Sequence, residues 1–407
     1  MNFSPLWQIL LCLLLVSKSF SQVDSNEVRE DSVKNSGVPT YEEKDIIDIF
    51  KFKHAGGEGT GVKSTKPRIT VVPFIGYTLQ TRLAGIIAGN VAFYVDTLEE
   101  TNQSAVSISC SYSQNNQIIA PLSSNIWTRK NKYNFLGNWR YYKYPEQTYG
   151  LGGNTDLKDR VGLDYTFFLF REAVLRHFEG SHVYAGLGYN LSHHTNIKQV
   201  TASPDTITDF DLYGRTETST SSGISIHTLF DNRGNTINPK SGTYANLTYY
   251  NYSKLLGSNS NWQSVIVDLR KYFSLGKAKN VLSFWSYNWF TFGGKVPYLD
   301  LPSTGWDAYS NIGRGYIQSR LRGQNLLYLE TEYRFKILRS GFLGGVLFAN
   351  AQSVTDWPSN KFTAISPAAG FGLRIKLNKF SGTNLSIDYG FGTKGSQGLF
   401  INLGEVF

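Results

Sequence analysis

From Pro67 to Phe407, apolar and polar residues alternate with a period of two, in runs of about ten residues separated by clusters of turn-forming residues. We count sixteen such runs. The clearest are ITVVPFIGYTL, AGIIAGNVAFYV, GISIHTLF, TYANLTYY, SVIVDLRKYF, LLYLETEYRF, GVLFANAQ, GFGLRIKL, NLSIDYGF and the final one; those between Ala105 and Tyr142 are the least distinct. In LLYLETEYRFKI, the residues Leu327, Leu329, Thr331, Tyr333, Phe335 and Ile337 form one row, opposed by Tyr328, Glu330, Glu332, Arg334 and Lys336. Likewise Phe371, Leu373, Ile375 and Leu377 oppose Arg374 and Lys376, and Leu385, Ile387, Tyr389 and Phe391 oppose Asp388. Each run therefore predicts a strand with lipid on one side and a wet or ion-paired interior on the other. A charge on the lipid side costs about 2–4 kcal/mol near the midplane, so this register is strongly fixed.

The last run carries Leu399, Ile401 and Leu403 on one row, continued in step by Glu405 and Phe407. A strand that is apolar on one side and ends on an aromatic residue belongs in a barrel wall, and Glu405 is the one departure from that row. Lipid offers no hydrogen-bond partner to an open sheet edge, so a sheet with a lipid-facing side closes on itself. An even strand number places both ends of the sheet on the same, periplasmic side. Connections on that side are short (FEG at Glu179, LGKAKN at Lys277, LRSG at Ser340), whereas those opposite include the long stretches His194 to Ser222 and Gly293 to Gln324. The expected fold is all-β, a sixteen-stranded antiparallel transmembrane β-barrel spanning 67–407.

Composition agrees with this pattern. Phe, Tyr and Trp make up 14 % of the chain, against a single Met, an excess suited to two interfacial girdles. The mean hydropathy is slightly negative because outward and inward residues average out. The net charge is +9, but the basic residues are scattered, which argues against a nucleic-acid partner. The pair His193 and His194 invites a catalytic or metal-binding reading, yet nothing around it resembles a hydrolase site. No phosphate-binding Gly-rich loop, Cys-based zinc spacing or paired-His helix motif occurs. Neither an enzymatic activity nor a cofactor is expected.

The N-terminal residues predict export. WQILLCLLLV, 7–16, is an apolar stretch too short to span a bilayer as a helix, and small residues precede a cleavage point after Ser21. Residues 1–21 read as a signal peptide; loss of Cys12 with it leaves Cys110 as a lone thiol. Residues 22–66 are polar and Gly-rich, a periplasmic linker with no room for a folded domain. Within it, 45–54 reads either as a short helix docked at the barrel mouth or as a mobile peptide.

Several motifs then occur in order. Gly313-Arg314-Gly315-Tyr316 lies between the eleventh and twelfth strands; Asp231 and Arg233, followed by Pro239 and Gly242, lie between the eighth and ninth; Glu332-Tyr333-Arg334, the GFGLR ending in Arg374 and the SIDYG containing Asp388 follow. The set resembles the RGY loop, the DxR…P…G turn and the E-[YF]-R strand of the BamA-like outer-membrane assembly and secretion superfamily, also called bacterial surface antigen barrels. The resemblance implies that the long extracellular loop 6 folds back into the lumen, where Arg314 meets Glu332, with Glu330 close by. The second partner falls at Asn350, where the family usually has an acid; a neutral Asn accepts a hydrogen bond but adds no charge. The alternative is that Arg314 sits on a solvated loop. The family's POTRA repeats have no counterpart in the 22–66 segment, which puts an insertase role in doubt.

Pro73 and Gly76 in the first strand bear on mechanism without the family. Proline cannot donate to a ladder and is found on edges. Either it weakens the seam against the final strand, Leu399 to Phe407, or it lies below the membrane at the strand's start. Two functions stand side by side. One is a BamA-like barrel that inserts, translocates or anchors protein or lipid at the bacterial outer membrane, with outer-membrane lipid and a protein partner or client. The other is a simple channel or structural surface barrel.

Overall fold

The computed structural model describes residues 43–45, 65–98, 101–200, 207–276, 280–308, 310–377, 379 and 382–407. The expected signal peptide, and all of the expected docking helix except Asp45, lie outside the described residues. Sixteen long strands form the wall: β1 Arg68–Thr78, β2 Arg82–Phe93, β3 Ser104–Ser113, β4 Ile118–Trp127, β5 Tyr133–Lys143, β6 Val161–His177, β7 Val183–Gln199, β8 Ser219–Asp231, β9 Gly242–Tyr252, β10 Trp262–Leu275, β11 Asn280–Phe292, β12 Asn325–Lys336, β13 Leu343–Asp356, β14 Ser366–Lys376, β15 Asn384–Gly392 and β16 Gln397–Leu403. Two short strands sit outside this series: Glu146–Thr148 pairs with β6 and Lys361–Phe362 with β13. Each wall strand is antiparallel to the next, from β1–β2 through β15–β16. Among the described residues no such ladder joins β16 back to β1, so the barrel is nearly but not fully closed.

The two faces of each strand differ as the alternation requires. On β12, Leu329 is 59 % exposed, while Tyr328, Glu330, Glu332 and Arg334 are buried in the interior. Leu347, Phe371 and Leu373 repeat the outward exposure on β13 and β14. On these strands the outer face is thus apolar and the inner face carries the charges, the inverse of a soluble protein.

Three sequence expectations need correction. Leu377 does not continue the outward row: β14 ends at Lys376, and Leu377, one residue past it, is fully buried. Phe407 and Glu405 do not continue the outward row of β16. Gly404 adopts φ +93°, a left-handed conformation that ends the strand, and both residues after it turn inward, with Phe407 only 4 % exposed. Finally, His194 belongs to β7 and Ser219–Ser222 to β8, so the loop between these strands is shorter than its sequence suggests. At 17 residues each, β6 and β7 are longer than the about ten a bilayer requires, and they extend past its edge.

At the end of the barrel where β1 begins, the described residues ahead of it lie against the turns. Lys44 N donates to Ser340 O at 3.0 Å, and Asp45 Oδ2 accepts from Lys379 N at 3.1 Å.

The polarity of the wall makes a direct prediction. Leu329→Arg, mid-strand on the lipid-facing row, lowers stability by about 2–4 kcal/mol, whereas Ile365→Arg, at the edge of β14, costs about 0–1 kcal/mol. Urea unfolding in lipid vesicles, read by the gel-mobility difference between folded and heated protein, checks both.

Candidate functional site

The interior site is built from a problem of charge. Arg314, on the long connection between β11 and β12, is 1 % exposed. A buried guanidinium is tolerable only with carboxylates around it. Its Nη1 donates to Asp388 Oδ2 on β15 at 2.7 Å, and its Nη2 donates to both Glu330 and Glu332 on β12. Its guanidinium also lies 3.8 Å from the ring centroid of Phe348 on β13. Burial alone would lower the Arg314 pKa; the three carboxylates more than offset this and hold it well above its ordinary value.

Asn350 does something different from what its place suggests. It makes no bond to the guanidinium; its Nδ2 donates to the main-chain oxygen of Arg314 at 2.9 Å, and Asp388 supplies the additional negative charge. The loop backbone can come this close because of two glycines. Gly315, at φ +102°, would place a Cβ 2.9 Å from Ala368, and a Cβ on Gly390 would lie 2.7 Å from Gly315 N. Tyr316 then fixes the loop beyond the arginine, donating to Pro367 O at 2.7 Å and accepting from Thr393 N at 3.0 Å.

Two more arginines and one more carboxylate extend the cluster. Arg374 on β14 contacts Asp388 at 2.5 Å and Glu405 at 2.7 Å, and lies 3.6 Å from Glu332. Arg334 on β12 donates to Glu332 at 2.5 Å and, through Nη2, to the main-chain oxygen of Phe407 at 2.7 Å. The Phe407 ring stacks on Trp285 of β11 at 5.1 Å, and Asn311 of the long loop donates to Val406 O at 2.6 Å. Residues 405–407 are therefore held by the same groups that hold Arg314. Sequence reasoning missed this, treating Glu405 as a blemish on a lipid-facing row; the signal available was Gly404, the one residue able to turn the chain inward.

The rest of the long loop is pinned to the opposite wall. Arg322 donates to Glu146 at 3.3 Å and to Tyr298 O at 3.0 Å, Ser319 donates to Glu146 at 3.0 Å, and Arg320 donates twice to Thr155 at 2.7 Å. The Asp231 and Arg233 pair lies outside this cluster, at the β8–β9 turn. There Arg233 makes a two-point pair with Asp231 at 2.9 and 2.7 Å, stacked 4.5 Å over Tyr244. Gly242, at φ +108°, passes so near Arg233 that a Cβ would lie 2.9 Å from its Cα. Pro239 is buried in the same turn. Pro73 is in the middle of β1, opposite Ile87 of β2, and Gly76 is opposite Ala84, so Pro73 is not at the strand's start. Leu399, Ile401 and Leu403 pair with Tyr389, Ile387 and Leu385 of β15. His194 is buried and stacks on Phe167 at 4.5 Å, while His193 bonds Thr220 at 2.8 Å; the two point to opposite faces of β7.

Removing Arg314 leaves three carboxylates short of a partner, so Arg314→Ala destabilises the barrel by about 3–5 kcal/mol and opens Gly293 to Gln324 to proteases. Asp388→Asn combined with it is clearly less than additive in a double-mutant cycle, and Asn350→Ala, which removes one neutral hydrogen bond, costs about 1 kcal/mol. For Glu405, burial pushes the carboxyl up, but Arg374 and Arg334 outweigh it and hold it below its ordinary value. A depressed carboxyl contributes its full stability above its unfolded pKa and loses it as the pH falls through the lowered folded value. The near-ultraviolet circular dichroism of the Trp285 and Phe407 stack therefore persists down to pH about 4 and fades only in stronger acid. Glu405→Gln exposes residues 405–407 to carboxypeptidase at neutral pH.

The domain model of the Omp85 superfamily matches residues 101–407. Among solved structures, BamA from Haemophilus ducreyi lacking POTRA domains 1–3 superposes with a TM-score of 0.53 at 15 % identity, over 84 % of this chain and 69 % of that one. CdiB from Acinetobacter baumannii gives a TM-score of 0.53 at 14 % identity, over 84 % of this chain and 60 % of that one. CdiB from Escherichia coli gives a TM-score of 0.53 at 12 % identity, over 84 % and 63 %. Among curated proteins none matches the sequence. At such identities the structural likeness concerns the fold alone, and no POTRA-like unit occurs among the described residues. The family match, which spans most of the chain and includes the arginine loop, β12 and β15, carries the assignment: this chain belongs to the Omp85 superfamily, as a BamA-like β-barrel.

Proposed function

We propose that this chain is a bacterial outer-membrane barrel that helps insert, translocate or anchor client protein or lipid, and that it acts by parting β1 from β16. The observation that carries this reading is the seam: fifteen neighbouring strand pairs are laddered, and none is between β1 and β16 among the described residues. In hydrocarbon a strand edge without a full ladder is costly, and it is the edge to which another strand or a lipid headgroup is drawn. Pro73, in mid-β1, removes one donor from that strand outright. At the seam the Leu79 side chain packs on Gly398, which has no room for a Cβ.

The filled interior supports the same reading over a steady channel. The long loop crosses from Glu146 on one side to Glu332 and Asp388 on the other, and residues 405–407 fill space beside Trp285. An aqueous path would have to be opened by moving both. Residues 1–21 direct export in this account, with a client or partner protein and outer-membrane lipid as what the seam meets.

A disulfide across the seam tests it. With Cys110 replaced by Ser, cysteine pairs drawn from 76–78 and 398–400 are scanned for the Cα separation of about 5.5–6 Å that a disulfide accepts. The cross-linked barrel stays folded and loses its biological activity, and reductant restores it. Full activity in a quantitatively cross-linked barrel rules out gating at this seam, and a large steady conductance in planar bilayers moves the assignment to a simple channel.

A further inference from the structure

The outward face of β6 carries a carboxylate where lipid should be. Phe168, Phe170, Glu172 and Val174 follow one another on that row, and the neighbours at the same height are Gly137 on β5 and Tyr189 on β7. Phe168 is 39 % exposed and Leu187, one pair along on β7, is 65 % exposed, so this wall is the apolar outer surface. Glu172 lies five residues above the His177 end of β6. At about 3.4 Å per residue and a tilt of about 40°, that is about 13 Å into an apolar band about 25 Å tall, close to its middle. An ionisable residue there is expensive and marks a functional contact.

The surroundings are shaped around it. Gly137 leaves its backbone bare beneath the carboxylate; a Cβ there would run into both Ser124 Oγ and Glu172 Oε1. Trp139 Nε1 donates to Glu172 Oε1 at 2.7 Å. One indole donor satisfies a fraction of what an ionised carboxylate accepts. Among the described residues no cation reaches Glu172, and the outward positions of β4, β5 and β7 beside it hold none.

We propose that the wall formed by β4 to β7 docks a second, different membrane-embedded protein chain, which sets an Arg or Lys side chain against Glu172 at mid-depth. Charge selects the partner. A second copy of this barrel would bring to the contact a wall that carries the same carboxylate and no cation at that height, whereas a long basic side chain completes the acceptor and hides its own charge from lipid. The wall is several strands away from the β1–β16 seam, so this proposal and the seam mechanism stand or fall separately.

The probe is a synthetic transmembrane helix of about 20 Leu and Ala residues with one central Arg, paired with a twin carrying Leu instead. Cys110 is a free, exposed thiol on β3 and takes a fluorescent donor; the peptides carry the acceptor. In vesicles, full-length barrel binds the Arg peptide about tenfold more tightly than its twin, the equivalent of about 1.4 kcal/mol. Glu172→Gln, shown to be folded by its gel mobility, abolishes the difference. Equal binding of the two peptides to the unaltered barrel overturns the proposal whether or not the variant folds, and so does an Arg preference that survives in folded Glu172→Gln. Transfer between differently labelled barrels that depends on Glu172 would replace the foreign partner with a second copy and likewise overturn it.

Discussion

The interior of this barrel is organised by the need to neutralise guanidinium groups away from bulk water. Arg314, Arg334 and Arg374 are buried together, and the carboxylates that surround them, Glu330, Glu332, Asp388 and Glu405, come from β12, β15 and the residues after β16. No single pair is isolated: Glu332 meets all three arginines, and Asp388 and Glu405 meet two each. A network of this kind contributes little net stability, because desolvation cancels most of the attraction, but removing a member leaves its partners charged and alone. Its effect is therefore specificity of arrangement. The loop, the strands β12, β14 and β15 and the last residues must all be in place at once.

This arrangement gives the outer and inner surfaces opposite tasks. Outside, the strands only need to be apolar and continuous, and Leu329, Leu347 and Phe371 meet that requirement with no particular partner. Inside, the charged groups of the arginine cluster meet specific partners, and small residues are placed where a backbone must pass. Gly315 against Gly390 is the clearest case, since any side chain at either position would push the arginine away from Asp388. At the seam between β1 and β16 no ladder is present among the described residues, and Leu79 packs on Gly398 there.

The wall was largely legible in the sequence, because lipid imposes a rule that acts residue by residue. The alternation in LLYLETEYRF gives the register of β12 directly, and the charge rows identify the inner face. The interior was legible only where a motif marks it, as at Arg314. Glu146 and Arg322 are 176 positions apart and neither has a local pattern that announces the other. Glu405 and Phe407 were misread because period-two counting assumes the strand goes on, and a single left-handed glycine breaks that assumption. At Asn350 the sequence suggested a bond to the guanidinium, whereas its amide donates to the main-chain oxygen of Arg314, since a residue type does not say whether its amide will meet a side chain or a backbone oxygen.

The inward turn at Gly404 has a consequence for anything joined to Phe407. Phe407 lies behind the wall, between Trp285 and Arg334, so any polymer joined after it would begin its course inside the barrel. An affinity tag attached there would have to share the interior with the arginine loop or pull the last residues out.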